Sequence, residues 1–125
     1  MPRPVISPFL SQSFEYNFAN DGGAIGSLNS RITIPNLANI CLITGKVITG
    51  VTDGGLGATI NIGWLGNLAA LMTTNVFPIG PGSLGLTFSQ NGAISVGLPI
   101  LFSIAGFPLT AGRMIVNIGY YNLYQ

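Results

Sequence analysis

Between Asp53 and Arg113 the chain runs through 59 residues without a formal charge, and that stretch decides most of what the sequence can become. A long uncharged apolar run suggests membrane helices. Here it is broken by Gly54, Gly55, Gly57, Gly63, Gly66, Gly80, Pro81, Gly82, Gly85, Gly92, Gly97, Pro99, Gly106 and Pro108. No span of about 20 good helix formers is left. The most apolar window, Ala93 to Leu109, alternates instead: Ile94, Val96, Leu98, Ile100, Phe102 and Ile104 fall on one side, mostly smaller residues on the other. Period two means strand. A membrane barrel needs at least about eight strands of 9 to 11 residues with aromatic girdles, which 125 residues barely supply. The preferred reading is a soluble β protein whose uncharged surface is covered by other protein.

The alternation recurs along the chain, punctuated by turn residues. Phe14, Tyr16 and Phe18 alternate with Glu15 and Asn17 up to Asn20-Asp21-Gly22-Gly23, a strong turn signal. Ala24 to Ile34 runs to Pro35, which cannot donate to a central ladder. Ile40 to Val51 is one long strand, or two with a bend, ending at Asp53-Gly54-Gly55. Ala58 to Leu65 places Ile60, Ile62 and Trp64 on one face. Asn67 to Thr74 predicts the only helix, one or two turns of Leu68, Ala69, Ala70, Leu71 and Met72 capped by Asn67. Ser83 to Ser89 alternates again, Asn91-Gly92 predicts a hairpin turn, and Ala93 to Ile104 predicts one continuous strand. From Gly112, Met114, Val116, Ile118 and Tyr120 share a face. Seven or eight strands with regular turn signals predict an all-β fold, an antiparallel β-sandwich of jelly-roll type with at most one short helix. Residues 1–13, with Pro2, Pro4 and Pro8, read as an extended Pro-rich N-terminal arm, and 14–125 as a single sandwich domain.

The same composition removes most functions that rest on chemistry. Charged residues are 6% of the chain, against a globular norm of about 25%, and the net charge is +1. No basic patch for nucleic acid can be assembled from four cations. Histidine is absent, and with it the commonest general base and metal ligand. A single cysteine, Cys41, can form neither an intrachain disulfide nor a thiolate zinc site, and in its apolar run it reads as a small core residue. Met1-Pro2-Arg3-Pro4 opens no secretory signal, because no long apolar segment follows.

The motifs that remain are weak. Gly80, Gly82 and Gly85 match a dinucleotide fingerprint, but Pro81 occupies the turn and no acid after Asp53 could hold a ribose. Asp21 and Asp53 sit in Asp-Gly-Gly turns, too few oxygen ligands for calcium and already explained by hairpin chemistry. With Glu15 they are the only carboxylates, and Lys46 is the only candidate base for a serine, with no serine beside it. We therefore expect no catalytic residue, no cofactor and no metal.

What is left is surface. A monomer with uncharged outer faces and almost no net charge tends to associate, so the expectation is a permanent homo-oligomer, a trimer being one form, built on apolar contact. The expected interface residues are Arg3, Pro4 and Phe9 in the arm and Tyr120, Tyr121 and Tyr124 at the C-terminus, whose rings bring large area with a polar tip.

The runs Tyr16-Asn17-Phe18-Ala19-Asn20-Asp21-Gly22-Gly23-Ala24-Ile25-Gly26, Ile34-Pro35, Ile43-Thr44-Gly45-Lys46-Val47, Ala58-Thr59-Ile60-Asn61-Ile62-Gly63, Asn67-Leu68-Ala69-Ala70 and Leu109-Thr110-Ala111-Gly112-Arg113 resemble a group of small tailed-phage structural proteins, of the capsid-decoration or auxiliary-capsid kind. The resemblance spans about residues 14 to 122 and rests on turn and strand signatures, while the low charge and the 75–91 region depart from it. It implies a non-enzymatic virion protein, assembled in the host cytoplasm, whose partners are other capsid proteins and itself. Two alternatives stand beside it: a fibre, spike or tail module binding a host glycan through Tyr121 and Tyr124, and a membrane-associated virion protein.

Overall fold

The computed structural model describes residues 10–75, 82–85 and 93–121. Seven strands of six residues or more build two sheets: β1 (Leu10–Asn17), β2 (Gly26–Thr33), β3 (Asn39–Thr52), β4 (Thr59–Trp64), β5 (Asn67–Asn75), β8 (Pro99–Ala105) and β9 (Ala111–Tyr121). Two shorter strands, β6 (Gly82–Gly85) and β7 (Ala93–Ile94), lie on β3, and one helical turn, α1 (Phe18–Asp21), follows β1. The first sheet has the order β1-β9-β3-β6, with β7 also on β3, and the second the order β2-β8-β4-β5. Pairing is antiparallel and nested: β1 with β9, β2 with β8, β3 with β6 and β7, β4 with β5. A hairpin-like ribbon folded over on itself in this way is a jelly roll.

The core forms where inner faces meet. Met114, Val116 and Ile118 of β9 alternate inward over Ile60, Ile62, Ile100, Phe102 and Ile104 of the second sheet. On β3 the buried positions change phase once, from Ile40 to Ile43 across the bulge between Ile40 and Leu42, and then keep even spacing through Gly45, Val47 and Val51, two further bulges between Val47 and Thr52 cancelling one another. The strand expected to bend does so by bulging, and the first extra residue re-aims the apolar positions inward. Tyr16 of β1 stacks on Phe102 at 4.7 Å, and Phe14 meets the same ring edge-on at 6.4 Å, tying the two sheets together where β1 and β2 lie side by side.

Two local expectations are corrected. Asn67–Asn75 is strand, not helix. A tight turn at Leu65-Gly66, with Gly66 at φ 98, sets Trp64 opposite Asn67 and commits the segment to β4. Gly63 makes room for it, since a Cβ there would stand 2.3 Å from the Asn67 carbonyl oxygen. Tertiary pairing overrides the helix propensity of Leu68 to Met72. The helical turn falls at Phe18–Asp21, where Asn17 accepts from the Ala19 N–H and the Asp21 carboxylate accepts from the Asn17 N–H.

Register gives the sandwich two distinct ends. At one, here the turn end, lie Gly22–Ile25, the Asp53–Ala58 loop and Gly106–Thr110. At the other, the arm end, lie Leu10, Ile34–Asn39, Ile94–Pro99 and Tyr120–Tyr121.

Candidate assembly surface

At the arm end Pro35 closes β2, and a turn follows in which the Ala38 N–H donates to the Pro35 carbonyl at 3.1 Å. Leu37 sits in this turn at φ 69, the left-handed region that costs a non-glycine residue on the order of 1 kcal/mol. The turn is stitched to the segment after β7 by Leu37 N–H to the Ser95 carbonyl and Ser95 N–H to the Ala38 carbonyl, both 2.8 Å. Ser95 points inward, its hydroxyl donating to the Ile34 carbonyl at 2.8 Å and accepting from the Gly97 N–H at 3.2 Å.

This inward serine inverts the expected pattern. Ala93 to Ile104 is not one strand: β7 pairs with β3 in the first sheet, and β8 pairs with β2 and β4 in the second. The crossing from one sheet to the other occurs at Gly97, φ 74, where a Cβ would already press to 3.0 Å from that of Asn36. With Ser95 buried, Ile94, Val96 and Leu98 turn outward, while Ile100, Phe102 and Ile104 keep the inner face. The alternation is real on both sides of the crossing, but its phase slips there.

The outward set is joined by Leu37 and Tyr121, so five large apolar side chains between 38% and 61% exposed share this end. Asn39 pairs with both Ile94 and Tyr121, placing it among them. Its Oδ1 is buried and accepts no hydrogen bond among the described residues, an unusual state for a buried acceptor. None of the five carries a charge.

Charge collects elsewhere. Glu15 and Arg113 form an ion pair on the outer face of the first sheet, both about 40% exposed, so it adds little stability. Along the β1 and β2 edge, Glu15, Asp21 and Arg31 rim a pocket of about 150 Å³ floored by Phe14, Tyr16 and Phe102. Tyr16 donates its hydroxyl to the Gly22 carbonyl at 2.8 Å, and burial, with a smaller contribution from the Asp21 carboxylate, pushes its pKa up to about 12. At the turn end the Asp53 carboxylate accepts backbone N–H groups from Gly55, Gly57 and Ala58 at 2.7 to 2.9 Å, and these bonds hold its pKa below the usual value. The pocket brings the Glu15 and Asp21 carboxylates, the Arg31 guanidinium and the Ser30 hydroxyl together, and that hydroxyl donates to the Ile100 carbonyl at 2.7 Å. Among the described residues no three metal-ligating side chains gather.

The expected interface residues separate. Tyr121 is exposed at the arm end, whereas Tyr120 faces the core at 6% exposure and accepts from Gln12, so it is a packing residue rather than a surface one. Arg3, Pro4, Phe9 and Tyr124, like the Gly80 turn and the Asn91-Gly92 turn, lie outside the described residues. β1 already begins at Leu10, so residues 10–13, expected in the arm, are paired to β9. Cys41 is half-buried at the first bulge of β3 rather than inside the core, and Lys46 is exposed on the outer face. Leu37, Ile94, Val96 and Leu98 were not legible as surface. The signal for the last three is Gly97-Leu98-Pro99, a breaker pair inside an otherwise perfect alternation.

No family model matches the sequence, and no curated protein does. The fold, however, is shared with two solved structures. A chain of the cyanophage Pam1 capsid asymmetric unit superposes with a TM-score of 0.70 at 12% identity, over 97% of this chain and 89% of that one. A chain of the acid-stable capsid of Helicobacter pylori bacteriophage KHP30 does so with a TM-score of 0.68 at 11% identity, over 94% and 90%. The likeness is thus end to end in both chains, and it is a likeness of fold. Among the described residues no helix is long and apolar enough to cross a membrane.

Proposed function

We propose that the protein is a non-enzymatic structural subunit of a virus particle, a decoration, auxiliary or minor capsid protein that acts by oligomerising and by contacting other capsid proteins. The observation that carries this reading is the end-to-end match of the jelly roll to chains of two phage capsid structures. The surface agrees with it. Across the outer face of the second sheet, Ser27, Ser103, Asn61 and Thr73 stand in one row, with Ser27 and Ser103 hydroxyls 2.7 Å apart. Only Arg31 carries a charge in that whole sheet. Flat uncharged faces suit packing between neighbours in a shell, where long charged side chains would have to be desolvated.

In this role the arm, now residues 1–9, and Tyr121 with Tyr124 supply contacts, and the protein resides in the virion. The test is whether the protein copurifies with intact phage particles through a density gradient, with an antibody raised against it decorating the particles under the electron microscope. Protein found only at the top of the gradient, away from particles, ends this reading.

A further inference from the structure

We propose that the apolar arm end is the acceptor for residues 1–9 of a second copy of this chain, so that each subunit gives an arm and receives one. The inference deepens the homo-oligomer reading above by naming the segment and the surface that meet. Three observations converge on it.

The first is where the undescribed chain begins. Leu10, the first residue of β1, is paired with Tyr120, one residue from Tyr121 and so beside the exposed set. Nine residues precede it, enough for an extended reach of about 30 Å. The second is composition. Val5, Ile6 and Phe9 offer apolar side chains to match Leu37, Ile94, Val96, Leu98 and Tyr121, while Pro2, Pro4 and Pro8 stiffen the segment and lower the entropy lost on docking. The third is the orphan acceptor. Asn39 Oδ1 is buried beside Ile94 and Tyr121 with no donor among the described residues, and an arm laid across it can supply a backbone N–H or the Arg3 guanidinium.

A second copy is favoured over the chain's own arm by the proline before Phe9. β1 starts at this end with Leu10 opposite Tyr120, and Pro8 disfavours at Ser7 the helical turn that would reverse the chain, so in this proposal the arm leaves its own sandwich for a neighbour. The turn end also exposes apolar side chains, Ile25, Leu56 and Phe107. β1 does not start there and β9 does not finish there, and no buried acceptor among its described residues is orphaned.

The experiment uses two full-length variants. Val96→Asp spoils the acceptor at an exposed position, and Ile6→Asp with Phe9→Asp spoils the arm; circular dichroism and melting confirm that both fold. Molar mass by light scattering is then read for the parent, for each variant, and for their mixture. The expected result is a discrete oligomer for the parent and monomers for each variant alone. On mixing, the intact arm of one meets the intact acceptor of the other and association returns, with affinity for a labelled residue 1–9 peptide falling about tenfold or more in Val96→Asp. A monomeric parent, an arm variant with the parent's mass, or a mixture that stays monomeric overturns the proposal. No particle is needed, so this outcome is independent of the copurification test.

Discussion

At the turn end, the Asp53 carboxylate spends its oxygens on three backbone N–H groups, Gly54, Gly55 and Gly57 take the left-handed angles the loop requires, and Leu109 N–H closes onto the Gly23 carbonyl at 2.7 Å. At the arm end Leu37 holds a left-handed angle as well as Gly97, an asparagine oxygen goes unmatched among the described residues, and the apolar residues after β7 face out. Both ends close the same ribbon, so connectivity does not explain the difference. Among the described residues the turn end has its buried side-chain acceptors matched from within the chain, whereas the arm end holds strain and an unmet acceptor, the features expected where something else must dock.

The largest effects should therefore come from breaking the turn end. Gly23→Ala puts a Cβ 2.0 Å from the Leu109 carbonyl oxygen, an overlap with backbone that only a shift of the whole closure can relieve. We expect Tm to fall by more than about 10 °C, or the chain not to fold, in thermal melting. An Asp53→Asn variant tests the same loop through pH. Because the folded pKa of Asp53 is depressed, its contribution is present above the unfolded value near 4 and is lost as pH falls through the folded one. The parent's Tm should drop on acidification below about pH 4, and the Asp53→Asn variant should show a flatter profile there and a lower Tm at neutral pH. A profile unchanged by the substitution removes Asp53 as the organiser.

Tyr16 gives the alkaline counterpart, smaller and at the β1 and β2 edge. Its folded pKa of about 12 lies above the ordinary value of 10.0, so the stability it adds is whole below pH 10 and disappears as pH rises towards 12. Tyr16→Phe keeps the stack on Phe102 but removes the hydroxyl bond to Gly22. We expect a loss of about 1 kcal/mol at neutral pH and a flatter melting profile between pH 10 and 12. A tyrosine absorbance titration that shows Tyr16 ionising at its ordinary pH would contradict the burial argument.

How much of this was legible follows from what a period-two pattern encodes. It records which residues share a face, and so Ile60, Ile62, Ile100, Phe102, Ile104, Met114, Val116 and Ile118 were all found in the core where alternation placed them. It does not record which strand lies beside which, and the nested order emerged only from pairing. Nor does it record changes of phase. Ile94, Val96 and Leu98 looked like a continuation of Ile100 because hydrophobicity alone cannot tell a buried face from an exposed one, and the sheet crossing at Gly97 reverses the two. Asn67 to Thr74 failed for a related reason. Helix propensity is local and worth tenths of a kcal/mol per residue, while the ladder with β4 and the burial of Leu71 and Met72 are not local at all.

The smallest expected change in stability is the one that separates the two ends most sharply. At the turn end a glycine at a left-handed angle is there for the loop itself, so replacing Gly54 by alanine should strain the isolated chain by on the order of 1 kcal/mol. At the arm end Leu37→Gly runs the other way. It removes left-handed strain of similar size and deletes a side chain that is 61% exposed and so adds little to the core. Against this stands the added freedom of glycine in the unfolded chain, between about 0.4 and 1 kcal/mol. The two terms nearly cancel, and the melting temperature of the monomeric arm variant should move by no more than a few degrees when Leu37→Gly is added. If that variant instead melts far lower, Leu37 is holding the sandwich together, and the contrast between a self-satisfied end and an end kept for docking is lost.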